Sequence, residues 1–223
     1  MLLSIPALAQ KTDSVEVKAD TVKKDYRPTG IRFGTDLIDI VKSSYDKTFD
    51  GWELNADIDF DRYYLVVDYG YWARNFVDES GGQYDNKGTY LRFGADVNFL
   101  TKDPEKNMFF FGARYARSVF TENLSFRLED PIWGTVDTNL TNNNIQAGWM
   151  ELTTGLRVKI WKIIWMGYTA RLKFGLSLGD TGYMTPSDVP GYGRADKESY
   201  WGFNYQIFVR FPVRKAASIP LKK

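Results

Sequence analysis

The 223-residue chain contains no histidine and no cysteine, so any chemistry rests on 28 acidic and 29 basic side chains, hydroxyls and a dense set of 7 Trp, 14 Tyr and 15 Phe. Without imidazole or thiol there is no histidine base, thiolate nucleophile or disulfide, and no zinc, haem or blue-copper centre built on those ligands. A serine hydroxyl or an attacking water needs a base that titrates near neutrality, which excludes the histidine-dependent lipase, acyltransferase, deacylase and protease mechanisms. Carboxylate-only hydrolysis needs two acids facing one bond. Asp57 with Asp59, and Glu129 with Asp130, are pairs of a commonplace kind, and the reading is that the protein is not an enzyme. Asp57-Ile-Asp59-Phe-Asp61 opens like a calcium loop, but Arg62 stands where the turn needs glycine and Asp68 where the loop needs glutamate. No metal or cofactor is expected. A net charge of +1 gives no electrostatic reason for a nucleic-acid partner.

The charges do follow a period of two, which is the signature of strands. Trp52, Leu54, Ala56, Ile58 and Phe60 alternate with Glu53, Asn55, Asp57 and Asp59, and Leu91, Phe93, Ala95, Val97 and Phe99 alternate with Arg92, Gly94, Asp96 and Asn98. Segments around residues 31–37, 65–74, 109–115, 150–160, 166–176 and 201–211 bring the count to eight, an even number. No apolar run approaches the roughly 18 residues of a transmembrane helix; the best, 160–166, contains Lys162. The reading is an all-β fold, an eight-stranded antiparallel up-and-down transmembrane β-barrel. Connections at 42–50, 76–87, 121–144 and 179–198 are long and those between are short, as expected of outer loops and periplasmic turns. Trp52, Phe60, Phe99, Trp161, Trp165, Trp201 and Phe211 lie near segment ends, where aromatic girdles form.

A soluble lipocalin-like barrel is the rival, since it also has eight strands but turns its apolar face inward. Glycine separates the two. Gly34, Gly70, Gly94, Gly112, Gly155, Gly167, Gly175 and Gly202 fall on the charged face, where a crowded lumen needs small residues and a solvent face needs none. On this reading Asp36, Glu53, Asp57, Asp59, Asp68 and Asp96 form an acidic wall opposite a basic wall of Arg114, Arg157, Lys159, Arg171, Lys173 and Arg210. Arg32, Arg74, Arg92 and Glu151 break the segregation. Opposite charges across so narrow a lumen pair and fill it, making a closed plug in preference to a conduit.

At the amino end, Ala7-Leu8-Ala9 before Gln10 reads as a signal-peptidase site. The expected organisation is therefore a signal peptide at 1–9, a disordered periplasmic arm at 10–28, the barrel at 29–211 and a periplasmic tail at 212–223. In the arm, Asp13-Ser14-Val15 and Asp20-Thr21-Val22 are similar to the acceptor of the general O-glycosylation system of Bacteroidota, which marks Ser14 and Thr21 as possible sites.

From Thr29 to Phe211 the chain resembles the small eight-stranded outer-membrane barrels of Gram-negative bacteria. More narrowly, it is similar to an uncharacterised outer-membrane β-barrel family of Bacteroidota. The residues that carry this are Ala7-Leu8-Ala9-Gln10 and the closing strand Gly202-Phe-Asn-Tyr-Gln-Ile-Phe-Val-Arg-Phe211, which resembles the terminal signal read by the barrel-assembly machinery, although Pro212 to Lys223 follow it. The resemblance implies an outer-membrane location and a fold, and carries no activity. The functional expectation is a non-enzymatic accessory subunit or scaffold of an outer-membrane assembly, contacting the bilayer, the assembly machinery and another outer-membrane or periplasmic protein. Tyr84, Trp133, Tyr183, Met184, Tyr192 and Tyr200 supply interface-type side chains in the outer loops. The alternative is a carrier of a small lipophilic ligand.

Overall fold

A computed structural model describes residues 26–77, 81–132, 134–179 and 185–214. The expected signal peptide at 1–9, nearly all of the expected arm with Ser14 and Thr21, most of the expected tail, and Trp133, Tyr183 and Met184 lie outside the described residues.

The chain runs β1 (Gly30–Asp36), α1 (Leu37–Tyr45), β2 (Phe49–Phe60), β3 (Tyr63–Val77), β4 (Gln83–Asn98), β5 (Met108–Asp130), β6 (Gly134–Trp161), β7 (Ile164–Ser177), the short pair β8 (Asp188–Val189) and β9 (Gly193–Arg194), and β10 (Ser199–Pro212). β1 to β7 and β10 form one antiparallel sheet that closes into a barrel, with each strand beside its sequence neighbour and β1 against β10. Closure is in register from Gly30 opposite Pro212 to Asp36 opposite Gln206. At the turn end of the barrel, Asp61 and Lys162 take positive φ values of 63° and 40° so that the chain reverses within two residues. Asp59 locks the first and last strands there. It accepts the Thr29 and Gly30 amides at 2.5 and 2.9 Å and pairs with Arg210 at 2.8 Å.

The distribution of side chains inverts that of a soluble barrel. Phe93 is 52% exposed while its neighbour Arg92 is 3% exposed. The same alternation puts Phe33, Leu54, Leu65, Phe111, Leu152 and Phe203 outside and Asp57, Asp68, Arg114, Arg157 and Arg171 inside. An exposed apolar band round the whole circumference, over a charged interior, is stable only against hydrocarbon, so this is a barrel that spans a bilayer. No helix among the described residues is long and apolar enough to cross one; the strands are the crossing elements.

Three features differ from the sequence reading. Residues 37–45 form a helix where a strand end and a loop were expected. Much of the expected loops at 76–87 and 121–144 is strand, because β3 to β6 continue as hairpins beyond the apolar band. A bulge between Phe120 and Glu122, with Asn144 at φ 57°, bends the longest of these hairpins. Trp165, expected in a girdle, is buried in the lumen. It stands at an inward position of β7, and the guanidinium of Arg32 lies 5.5 Å from its ring.

Candidate functional site: the charged lumen and its loop plug

Three layers fill the lumen. At the turn end Tyr64, Val66, Met108 and Phe110 form a buried apolar cluster. Two arginines bridge from it to the charged layer above. Arg32 stacks on Tyr64 at 4.8 Å and reaches Asp57 at 2.8 Å. Arg157 lies between Phe110 and Phe208 at 4.7 and 5.0 Å, and its two terminal nitrogens reach Asp57 at 2.9 Å and Asp96 at 3.2 Å.

The middle layer is a continuous ionic network. Arg114 pairs with Asp68 and with Asp96 at 3.1 Å. Arg171 reaches Glu151 at 2.9 Å, Asp68 at 3.2 Å and Glu53 at 3.4 Å. Arg92 pairs with Glu53 and lies 3.0 Å from Glu151. All of these side chains are essentially inaccessible, so each charge is compensated within the protein. The planar guanidinium suits this role because each fork contacts two or three carboxylates on different strands. Room for the forks comes from glycine: a Cβ at Gly112 would collide with Asp96, and one at Gly70 with the Tyr90 ring.

The structure therefore brings Glu53, Asp57, Asp68, Asp96, Arg114, Arg157 and Arg171 together. Asp59 and Arg210 sit apart at the turn-end rim. Asp36 accepts from Asn204 at 2.6 Å and from the Tyr205 amide at 3.1 Å. Lys173 donates to the carbonyls of Gly191 and Tyr192 at 2.7 and 2.9 Å and forms no ion pair among the described residues. Lys159 does not belong to the lumen network. Its inward-facing row has run past the barrel rim, where it meets Glu105 at 2.5 Å in a half-exposed pair. Arg32, Arg92 and Glu151, which the two-wall reading treated as exceptions, are central members. Their inward positions in the alternation were the available signal.

The upper layer is built from a loop. Residues 185–198 fold into the loop-end mouth, with Val189 and Tyr192 fully buried against Trp149, Phe120, Ile145 and Tyr90. The Tyr192 and Trp149 rings meet edge to face at 5.6 Å. Polar groups fasten the plug: Asn86 donates to the Asp188 carbonyl at 2.7 Å, Arg74 pairs with Asp188 at 2.9 Å, and Arg92 donates to the Gly191 carbonyl at 2.9 Å. Gly191 has φ +82° and lies against the Tyr90 ring, so a side chain there would be strained and would clash. Of the interface-type side chains expected in the outer loops, Tyr84 and Tyr192 are buried and Tyr200 is half-buried. Tyr192 lies in the apolar cluster at the mouth and Tyr200 packs on that cluster, while Tyr84 is buried beside Phe76, its hydroxyl turned to Glu122.

Beyond the mouth, Tyr84 donates to Glu122 at 2.8 Å and accepts from Asn86 at 3.0 Å. Burial pushes the Glu122 carboxyl above its ordinary range, against the hydrogen bond from Tyr84. Among the described residues no group of acidic side chains is arranged to hold a metal ion.

Fold and lumen together define a bilayer-spanning eight-stranded barrel whose interior is occupied by its own side chains and capped by its own loop. The chain belongs to the family described as Domain of unknown function (DUF6048), which it matches over residues 1–216. No curated protein matches it. Among solved structures it is similar to Neisserial surface protein A (NspA), with 12% identity and a TM-score of 0.39 over 82% of this chain and 96% of that one. It is also similar to Ail, the attachment invasion locus protein of Yersinia pestis, solved in complex with the heparin analogue sucrose octasulfate. That match has 12% identity and a TM-score of 0.37 over 82% of this chain and 98% of the other.

Proposed function

We propose that the protein is a non-enzymatic outer-membrane barrel, its turn end in the periplasm, that serves as an accessory subunit or scaffold by presenting the β5–β6 hairpin to another membrane or surface protein. One observation carries this reading. β4 begins at Gln83 opposite Ser125, so beyond that point, among the described residues, β5 and β6 continue as a two-stranded ribbon. Leu124, Phe126 and Leu128 stand on one face of it, opposite Leu140, Thr138 and Val136. Leu128 and Val136 are about half exposed, while the other face carries the exposed Arg127–Asp137 pair at 2.8 Å. An isolated ribbon is marginal in water, and an apolar face on it favours a covering partner. The filled lumen leaves exterior surfaces as the means of action.

The test is purification in mild detergent, comparing wild-type protein with a Leu128→Asp, Val136→Asp variant. A stoichiometric partner present with wild type and absent with the variant is expected, heat-modifiable migration on a denaturing gel being equal in both. A clean monomer in the wild-type preparation overturns the reading.

A further inference from the structure

β1 ends at Asp36, while both its neighbours continue toward the loop end: β2 to Phe49 and β10 to Ser199. Helix α1 takes the place of the missing half-strand in the barrel wall. Asp36 is the hinge, accepting from the Ile38 amide at 3.1 Å as helix cap and from the Tyr205 amide at 3.1 Å as the last tie to β10.

Beyond its cap at Asp36, the helix is hydrogen-bonded toward β2 and, among the described residues, not toward β10. Toward β2, Ser43 Oγ accepts from the Gly51 amide at 2.8 Å and the Phe49 amide donates to the Asp46 carbonyl at 3.1 Å. Toward β10, backbone groups on one side of a strand recur every second residue. Val213 and Tyr205 both donate to the β1 side, so the main-chain groups of Phe203 and Trp201 point at α1. Among the described residues no helix group meets them. A cavity of about 310 Å³ opens here.

Its lining joins the inside of the barrel to the outside. Glu53, Arg92 and Lys173 belong to the lumen, whereas Ile38, Trp201 and Phe203 face the bilayer, Trp201 being 59% exposed. Lys42, Arg74, Arg92, Lys173 and Arg194 line it with Asp39, Glu53 and Asp188. Arg74, Arg92 and Arg194 are held in ion pairs, which leaves Lys42 and Lys173 against Asp39 as the side chains without one among the described residues. Glu53 and Asp188 are engaged by arginines. The Lys42 ammonium lies 3.7 Å over the Phe49 ring and forms no ion pair among the described residues. An open strand edge in hydrocarbon also needs acceptors for its amides.

We propose that this seam binds one anionic amphiphile taken laterally from the leaflet at the loop end. Its carboxylate or phosphate head lies at Lys42 and its alkyl chain leaves between Ile38 and Trp201–Phe203 into the bilayer. Head and tail each meet matching chemistry, and head oxygens accept from the free edge of β10. The site does not depend on the ribbon's partner.

The test uses the full chain in dodecyl maltoside, titrated with dodecanoate, dodecyl phosphate or dodecanol and read by native mass spectrometry, with Lys42→Glu and Ile38→Trp as variants. One dodecanoate or dodecyl phosphate per barrel is expected, with dodecanol weaker by about tenfold or more, as for loss of one charge-assisted contact. Dodecanoate alone identifies a fatty-acid head, dodecyl phosphate alone a phosphate-headed lipid, and either supports the site. Lys42→Glu should weaken the anions by a similar factor, and Ile38→Trp should abolish binding by filling the seam, both variants remaining heat-modifiable. Equal binding of dodecanol, failure of both anions to bind, or indifference to Lys42→Glu overturns the proposal. So does a polypeptide strand crosslinked at Phe203 in intact cells in place of lipid.

Discussion

Asp57 and Arg157, a hundred residues apart in sequence, meet at 2.9 Å across the centre of the barrel. They stand on β2 and β6, which lie diametrically opposite in the ring of eight strands. The bond spans the full lumen, and its length is possible only because the barrel is narrow.

That relationship sets the cost of removing an arginine. Arg157→Leu strands Asp57 and Asp96 as partly compensated charges, and Arg171→Leu does the same to Glu151, Asp68 and Glu53. Each variant is expected to lose about 3 to 5 kcal/mol, the usual cost of breaking a buried pair from one side. Urea unfolding in detergent micelles, followed by heat-modifiability, measures it. A loss below about 1 kcal/mol, the scale of a surface pair, would show that water enters the lumen.

Electrical closure follows from the layering. Wild-type protein in planar bilayers is expected to show no steady conductance. Tyr192→Ala loosens the plug against Trp149 yet leaves the ionic layer beneath intact, so it too is expected to stay closed. Stable open currents from wild type would show that the side chains do not fill the lumen.

Glu122 gives the long hairpin a pH dependence. Its carboxyl is raised by burial beyond the apolar band, so the neutral form is favoured in the folded state. The associated stability is fully present below the unfolded value of about 4.3 and is lost as pH rises through the higher folded value. Glu122→Gln imitates the neutral acid and keeps an acceptor for Tyr84. It is expected to raise the melting temperature at pH 7 and to leave it unchanged near pH 4. An equal shift at both pH values would remove titration as the cause.

The amino-terminal arm offers a prediction separate from the barrel. Deletion of residues 11–24 is expected to leave heat-modifiable migration unchanged, and Ser14→Ala with Thr21→Ala to remove any glycan-dependent mass shift. A deletion that blocks barrel assembly would make the arm part of the fold.

Apart from Trp165 and Lys159 near the turn-end rim, the sequence by itself determined which of the spanning residues face lipid and which face inward. Consecutive side chains on a membrane-spanning strand meet hydrocarbon and lumen in turn, two environments so unlike that Phe93 beside Arg92 admits one orientation. Beyond the bilayer that contrast disappears. Water lies on both sides of the β5–β6 ribbon, so the alternation of Leu124, Phe126 and Leu128 with Ser125, Arg127 and Glu129 continues with no hydrocarbon to mark it as a spanning strand, and strand stands where a loop was expected. Asp36 before the apolar residues 37, 38, 40 and 41 was a usable helix signal, but continuity with β1 obscured it. Tertiary structure alone decided that α1 fills half a strand's place, that Tyr192 turns inward, and that Arg92 and Glu151 join the centre of the network. Each depends on distances across a closed ring between residues far apart in the chain, and alternation along a single strand carries no information about what stands on the opposite wall.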